Sequence, residues 1–384
     1  LGQELLQSIV AEVTQSKHGR IPFARFMELA LYHPEYGYYQ TDWQKTGRRG
    51  DFFTSPQVGD LFGLTIGRGI LILAESFPPD QPWLVVEVGG GDGRLMEGIV
   101  KAIEGKGNAV QPTIGMIETS LYHRHLQQER LSGVSLPVQW VSRLEELPQG
   151  QPTIVVSNEL LDALPFHRFR WRDGEWLEIW VGWDETTSRL IEVEGSLSNE
   201  GFLPMLKDRM GDRIPDEGSE TEISLVGRDW IQSMGTWIEQ GYLLTVDYGG
   251  TDEELCSPLR KVGTARGFQA HQMVRDLLIS PGEVDITADV SFTLLQSWGE
   301  EVGFLPLWYG KQSRFLLEVG ILEEISPVVS TDPFSKEAKR IRSLRQLALP
   351  GGMGDSYQVL LQGKGVACPE KALIAGDKFV GIWS

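Results

Sequence analysis

The stretch that most constrains this chain is Trp83 to Gly98, which reads Trp-Leu-Val-Val-Glu-Val-Gly-Gly-Gly-Asp-Gly-Arg-Leu-Met-Glu-Gly. The short apolar run Leu84 to Val88 has the length and β-branched content of a buried strand, and it ends at a glycine cluster. From Arg94 to Ile103, residues Leu95, Ile99 and Ile103 share one helical face. Strand, glycine turn and helix is how an α/β protein brings backbone N–H groups and a helix N-terminus against a ligand. Glycine is needed there because a Cβ would block close approach and because tight turns often use positive φ. A dinucleotide fingerprint, Gly-x-Gly-x-x-Gly, is incomplete. Counted from Gly89 its last position is Arg94, and counted from Gly91 it is Met96. What stands instead is Glu87-x-Gly89-x-Gly91-x-Gly93, an acid at the strand end followed by alternating glycines.

Composition narrows the classes. A chain of 384 residues can hold two domains, or one large domain with insertions. Its 41% hydrophobic and 23% charged content is that of a globular protein with a core of its own. The 35 basic and 53 acidic residues give a net charge of -18. That charge disfavours nonspecific nucleic-acid or anionic-membrane binding, and it serves either a basic partner or plain solubility. The two cysteines, Cys256 and Cys368, are far apart with no Cys-x-x-Cys, so neither a metal site nor a disulfide framework is expected. Such usage fits a reducing compartment. No apolar run approaches ~20 residues, so no membrane insertion is expected. The opening Leu1-Gly2-Gln3-Glu4-Leu5-Leu6 lacks the regions of a secretory signal. The expectation is a cytoplasmic protein, with a processed organellar protein as the alternative.

Taken in order, residues 3–17 read as an amphipathic helix. Pro22 sits at the first turn of a second helix over Phe23 to Leu31. Tyr36, Tyr38 and Tyr39 either line a pocket or pack a loop. Gly50 and Asp51 begin a turn, and Thr54-Ser55-Pro56 offers hydroxyls at the start of a helix over Gln57 to Phe77. Alternating strand and helix signals then indicate a parallel sheet. Thr113 to Ile117 is a second strand ending at Glu118, where an acid can accept both ribose hydroxyls. Val138 to Val141 is a third, and Ser142-Arg143-Leu144 could approach an adenine edge.

Thr153 to Val156 is a fourth strand, running into Asn158-Glu159-Leu160-Leu161-Asp162. Ligands of open α/β sheets lie at the carboxyl ends of strands, so Asn158, Glu159 and Asp162 fall where an acceptor would be held. Their oxygens suit an amine or guanidinium. An N-capping Asn with surface acids is the plainer alternative. Residues 166–171 and 176–181 alternate about Asp173-Gly174, a hairpin within an antiparallel insertion. Asp229 to Glu239 reads as a helix and Tyr242 to Val246 as a fifth strand. Arg266, His271, Asp285 and Thr287 could form part of a substrate wall. Phe292 to Val302 reads as a helix, Phe304 to Trp308 and Phe315 to Val319 as closing strands. The basic segment around Lys336 to Arg345 reads as a helix with a solvated face, and Tyr357 to Gln362 as a last strand.

Several of these motifs together resemble one family, the MidA-like S-adenosylmethionine-dependent methyltransferases, whose mitochondrial members are assembly factors for respiratory complex I. The matching stretches are Tyr32 to Tyr39, Gly50 to Pro56, Val86 to Gly93, Asn158 to Pro165, Asp247 to Gly249, Asp285 to Ala288 and Gly352 to Gly354, in order along nearly the whole chain. Relatives often carry Gly-Pro-Gly where this chain has Gly89-Gly90-Gly91. The resemblance implies a class I, Rossmann-like methyltransferase core of mostly parallel sheet, with S-adenosyl-L-methionine as cofactor and protein arginine as acceptor. A complex I subunit is the implied kind of target, and the mitochondrial matrix the alternative compartment. Glu87, Gly89, Gly91, Gly93 and Glu118 carry over as cofactor contacts. Asp51, Thr54, Ser55 and Pro56 carry over as cover of that site, and Asn158, Glu159 and Asp162 as acceptor contacts.

The expected division is a helical N-terminal region over 1–80, a core over 81–165 and 241–320, an antiparallel and helical insertion over 166–240, and a C-terminal region over 321–384. A non-catalytic assembly scaffold and a methyltransferase acting on a small molecule are the competing readings. A nicotinamide-dependent oxidoreductase is disfavoured by the missing third glycine.

Overall fold

The computed structural model describes residues 2–40, 55–106, 110–269, 272–325, 332 and 334–366. The chain folds as two compact units, one of Phe53–Leu160, Gln232–Tyr248 and Gln296–Ser384, the other of Leu1–Phe52, Leu161–Ile231 and Gly249–Leu295. The first is built on strands β1 (Leu84–Val88), β2 (Thr113–Ile117), β3 (Val138–Val141), β4 (Thr153–Asn158), β5 (Gly241–Gly250), β6 (Leu305–Lys311) and β7 (Tyr357–Lys364). Labelled helices of this unit are α1 (Asp60–Ala74), α2 (Arg94–Glu104), α3 (Leu121–Arg130), α4 (Gln312–Val319) and α5 (Lys336–Ala348).

The sheet runs in the order β6-β7-β5-β4-β1-β2-β3, parallel except that β7 lies antiparallel to both its neighbours. Register aligns the strand ends. Val88 is opposite both Ile117 and Ser157, and Asn158 is opposite Val246. Glu87, Glu118, Asn158 and Asp247 therefore sit at one edge of the sheet. The chain leaves β1 toward β2 and β3 and then returns to β4 on its other side, so strand order reverses between β1 and β4, the place where open sheets form a ligand crevice.

The alternate residues of these apolar strands make the core. Val85, Ile154, Val156, Leu244, Val246 and Leu361 pack with Ile66 and Ile70 of α1 and with Met96 and Ile99 of α2. Glycines let α1 and α2 cross closely. A Cβ on Gly98 would stand 2.6 Å from Gly63 Cα, and one on Gly67 would stand 2.9 Å from Ile99 Cα.

Four local expectations are corrected here. Phe315 to Val319 is not a closing strand but part of α4, capped by Gly320 in left-handed backbone at φ 102°. Phe315, Leu316 and Val319 are buried while Leu317 is exposed, the pattern of a helix face and not of a strand. Ser55–Val58 forms a short 3-10 turn, and α1 begins only at Asp60 behind Gly59 at φ 151°. Ser55 thus caps no α-helix; its buried Oγ donates to Gln312 Oε1 at 3.1 Å. Pro22 precedes its helix, ending a short strand Arg20–Pro22. The basic helix α5 also presents more than a solvated face, since Arg340 Nη2 pairs with Asp60 Oδ2 at 2.8 Å.

The second unit holds an antiparallel sheet of Arg20–Pro22, His167–Arg172, Glu175–Asp184, Arg189–Gly195 and Glu220–Ile223. Its hairpin turns at Asp173 (φ 49°) and Gly174 (φ 87°), the positive pair a two-residue turn needs. Arg168, Arg170 and Arg172 stand on one face and pair with Glu192, Glu194, Glu217 and Glu220. On the other face Phe169 packs on Phe202 at 4.8 Å. A small sheet of Arg266–Gln269, Gln272–Val274 and Asp285–Thr287 completes the unit, with a core including Phe23, Phe26, Tyr38, Val181 and Ile286.

Gly98→Val places its side chain against the α1 backbone, which cannot give way as a side-chain tip would. The expected loss of stability is about 3 kcal/mol, the upper end for overpacking, and urea unfolding measures it; an unchanged midpoint would show that α1 and α2 can separate freely.

Candidate functional site

Beyond β1 the backbone turns through Gly89 at φ 67°, Gly91 at 50° and Gly93 at 80°. The space around them differs. A Cβ on Gly89 would stand 2.9 Å from Leu160 Cδ1, and one on Gly93 would stand 3.3 Å from Gln127 Cα. At Gly91 no atom of the described residues lies within 4 Å of that position. Gly91 therefore borders open space in which a ligand can approach the backbone. The departure at Gly90 has a local reason too, because a Cβ there would stand 2.8 Å from Glu87 Cδ and 2.9 Å from Met116 Cε.

Glu87 is 2% exposed, and its Oε2 is buried without a hydrogen-bond partner among the described residues. Burial, with Asp92 and Glu118 adding repulsion, pushes its pKa up to about 8. A cationic ligand group beside that oxygen would reverse the trend. Glu118 is also buried, and burial raises its pKa. Its Oε1 accepts from Ser120 N at 2.8 Å and its Oε2 from Gln127 Nε2 at 3.2 Å. Each carboxylate oxygen has a second lone pair, so both could also accept from a diol. Ser120 caps α3, with its Oγ accepting from His123 N. At the expected adenine edge, Ser142 Oγ accepts from Arg124 Nη2 at 3.0 Å.

At the end of β4, Glu159 adopts φ 52°, an uncommon backbone for a residue with a Cβ. Its N–H donates to Val246 O at 2.9 Å, and Leu160 N–H donates to Asp247 Oδ2 at 3.2 Å. Asp247 is fully buried and also accepts from Tyr248 N at 2.9 Å, so it anchors this turn. Asn158 Nδ2 donates to Glu159 Oε1 at 3.2 Å, while Asn158 Oδ1 is buried with no partner among the described residues. Tyr357 is buried beside Glu159 and Tyr248, and burial together with the Glu159 charge holds its pKa well above 10.

Ser55 and Pro56 lie in the turn against α2. Asp51, Thr54 and His271 lie outside the described residues. Asp162 belongs to the second unit. Burial pushes its pKa up to about 6, with Arg266 opposing and Asp289 reinforcing the rise. Around it in that unit, Tyr39 OH donates to Asp285 Oδ1 at 2.8 Å, Arg266 Nη1 donates to Asp289 Oδ1 at 2.6 Å, and Ala288 N donates to the Asp162 carbonyl at 3.1 Å. The tyrosine segment thus packs with the expected substrate wall, and Tyr38 is core.

Sequence reading missed Gln127, Arg130, Asp247 as an anchor, and Tyr357. Helix α3 reads Leu-Tyr-His-Arg-His-Leu-Gln-Gln-Glu-Arg, too polar to advertise that Gln127 is fully buried.

A strand–glycine–helix loop with open space at Gly91, beside a buried unpartnered carboxylate oxygen, fits a cationic nucleoside-type ligand. Residues 65–310 match a family model described as "Putative S-adenosyl-L-methionine-dependent methyltransferase". The chain belongs to this S-adenosylmethionine-dependent methyltransferase family, with the class I fold and S-adenosylmethionine as its cofactor. It is 28% identical over 386 residues to a Danio rerio protein named "Protein arginine methyltransferase NDUFAF7, mitochondrial", covering 93% of this chain and 86% of that one. The Homo sapiens protein of the same name is 27% identical, covering 88% and 79%. A Burkholderia thailandensis crystal structure, described as a "likely methyl transferase" and bound to S-adenosyl-homocysteine, superposes with a TM-score of 0.84. It is 27% identical, and the match covers 95% of this chain and 93% of that one. Among the described residues no helix is long and apolar enough to cross a membrane.

The raised pKa of Glu87 has a sign for stability. Between the ordinary glutamate value of 4.5 and about 8 the folded protein holds a proton that the unfolded chain releases, so stability falls as pH rises through that window. In the ligand-free protein, Glu87→Gln is expected to match the wild type near pH 5 and to exceed it increasingly toward pH 8.5. Urea unfolding at both pH values measures this, and a constant difference would mean that Glu87 is already ionised when folded.

Proposed function

We propose that this chain transfers the methyl group of S-adenosylmethionine to an arginine side chain of a protein substrate. The proposed kind of target is a subunit of respiratory complex I or of its NADH dehydrogenase-like counterpart. The observation that carries this reading is the end of β4, where Glu159 is held in left-handed backbone next to Asn158, whose buried Oδ1 lacks a partner. A carboxylate and an unpaired acceptor are what a multi-donor cation such as guanidinium requires. The arginine methyltransferase names of the relatives support the same acceptor.

We assign Glu87, Gly89, Gly91, Gly93 and Glu118 as cofactor contacts, and Asp51, Thr54, Ser55 and Pro56 as cover of that site. When bound, S-adenosylmethionine supplies an electrophilic methyl on a sulfonium. Glu87 Oε2 would then have the cofactor's ammonium N–H to accept from, and Glu118 would accept from the ribose hydroxyls. What the protein must add is chiefly alignment, since well-oriented reactions gain on the order of 7–11 kcal/mol from it. Glu159 binds the guanidinium by charge-assisted hydrogen bonds and Asn158 Oδ1 accepts a further N–H. Guanidinium does not deprotonate by itself near neutral pH. The Glu159 carboxylate would therefore take the N–H proton as the nitrogen receives the methyl group, whose bond to sulfur breaks to leave a neutral thioether. Asp162 is assigned a second acceptor contact on its place in the chain after Glu159 and on its buried carboxylate. We place the protein in a reducing aqueous compartment, the cytoplasm or, as in the relatives' names, the mitochondrion.

Calorimetric titration with S-adenosylmethionine, with NAD as control, is expected to show saturable binding of the first alone. Gly91→Val should abolish it, because the side chain would occupy the open space beside the loop; unchanged affinity would discredit the loop as the cofactor site. Glu159→Gln should reduce methyl transfer by at least 100-fold while cofactor affinity stays within about threefold, a split expected when a group acts on the acceptor. Mass spectrometry of complex I-type subunits after incubation with isotope-labelled cofactor reads the product. Cofactor binding without any methylated arginine would sink the arginine assignment in favour of a scaffold or a small-molecule acceptor.

A further inference from the structure

We propose that Gln127 and Arg130, one turn apart on α3, are positioning residues that set the peptide orientations of the 89–93 glycine loop and thereby its affinity for the cofactor. The inference rests on the assignment of this loop to S-adenosylmethionine.

Successive loop carbonyls are held by the same helix. Gln127 Nε2 donates to Gly91 O at 3.0 Å, and Arg130 Nε donates to Asp92 O at 2.7 Å. Arg130 Nη2 also reaches Asp92 Oδ2 at 3.1 Å, and its Nη1 reaches Glu97 Oε2 at 3.2 Å. In a planar trans peptide the N–H points opposite to the carbonyl. Holding the Gly91 carbonyl toward α3 therefore turns the Asp92 N–H away from it, and holding the Asp92 carbonyl turns the Gly93 N–H toward Gly90 O, which accepts it at 2.8 Å. Glycines adopt either sign of φ with little preference, so a loop of alternating glycines has no orientation of its own. The two side chains select one, and preorganisation of this kind raises affinity by reducing the ordering that binding would otherwise require.

Gln127 also joins the loop to the other end of the proposed site. The nitrogen that holds Gly91 O donates to Glu118 Oε2 at 3.2 Å, so one buried amide fixes both the loop and the acid assigned to the ribose. Gln127 is 0% exposed and its Oε1 has no partner among the described residues. A residue kept only to fill space at that position would be apolar, because a buried unpaired amide oxygen costs stability.

The test titrates S-adenosylmethionine into the wild type, Gln127→Leu, Gln127→Glu and Arg130→Met. Gln127→Leu is expected to raise Kd at least tenfold with an unchanged far-UV spectrum, and Arg130→Met by about three- to tenfold. Gln127→Glu loses the donor when ionised and regains an O–H donor when protonated. Its affinity deficit should therefore shrink as pH falls from 8 to 5.5, relative to wild type at each pH, which a space-filling role would not produce. The titratable and charged neighbours on the packed elements are Glu87, Glu118, Asp92, Glu97, Arg124 and Arg130, all present in the wild-type reference. A folded Gln127→Leu with wild-type affinity overturns the proposal. Should that variant not fold, unaltered binding by Arg130→Met together with a pH-independent Gln127→Glu deficit overturns it. Failure of the wild type itself to bind would instead remove the cofactor assignment of the loop.

Discussion

Everything at the working edge of the sheet depends on β1 ending in a backbone that only glycine adopts without strain. Gly89, Gly91 and Gly93 all carry positive φ, and of the three only Gly91 has no atom of the described residues at its side-chain position. Gly89 is required by Leu160, which follows Glu159, so the loop after β1 and the turn after β4 are packed against each other. The strand register then places Glu118 and Asp247 at the same edge. One geometric demand, made by one strand end, fixes where the other strands must deliver their residues.

That edge collects buried acids. Glu87, Glu118 and Asp247 are each under 10% exposed and belong to the same unit. Burying carboxylates is unfavourable unless they are hydrogen-bonded or matched by a cation. Asp247 is compensated by backbone N–H groups and Glu118 by Ser120 and Gln127, whereas Glu87 keeps an unpartnered oxygen. The sheet end is thus built to favour positive charge, in keeping with a sulfonium cofactor.

Much of this could be read in the residues, and the limits were physical. Strand β1, its glycines and α2 are local signals, as is the Asp173-Gly174 hairpin, and all appear where their patterns put them. Tyr357 to Gln362 gave a strand, but nothing local says that it enters antiparallel beside β5. Phe315 to Val319 misled because a short apolar run carries both periods, and only the burial of Phe315, Leu316 and Val319 against an exposed Leu317 decides. Ser55 was read as a cap because its partner, Gln312, lies 257 residues away. Gln127 and Arg130 were invisible for the same reason. Their role exists only once α3 is laid beside the loop, and a polar helix sequence gives no hint of which side chains turn inward.

The arginine and glutamate rows on the antiparallel sheet bear on how that sheet finds its pairing. Arg168, Arg170 and Arg172 repeat every second residue, and they pair with Glu220 on the adjacent strand Glu220–Ile223 and with Glu192 and Glu194, also two residues apart, on the strand Arg189–Gly195 beyond Glu175–Asp184. A slip of one residue would carry the arginines to the face where Phe169 meets Phe202, stranding charge among rings. A slip of two would keep the faces but leave a terminal arginine or glutamate without a counter-ion. Apolar alternation alone tolerates the second error and charge alone tolerates neither, so the rows act as a vernier that admits a single alignment of the strands.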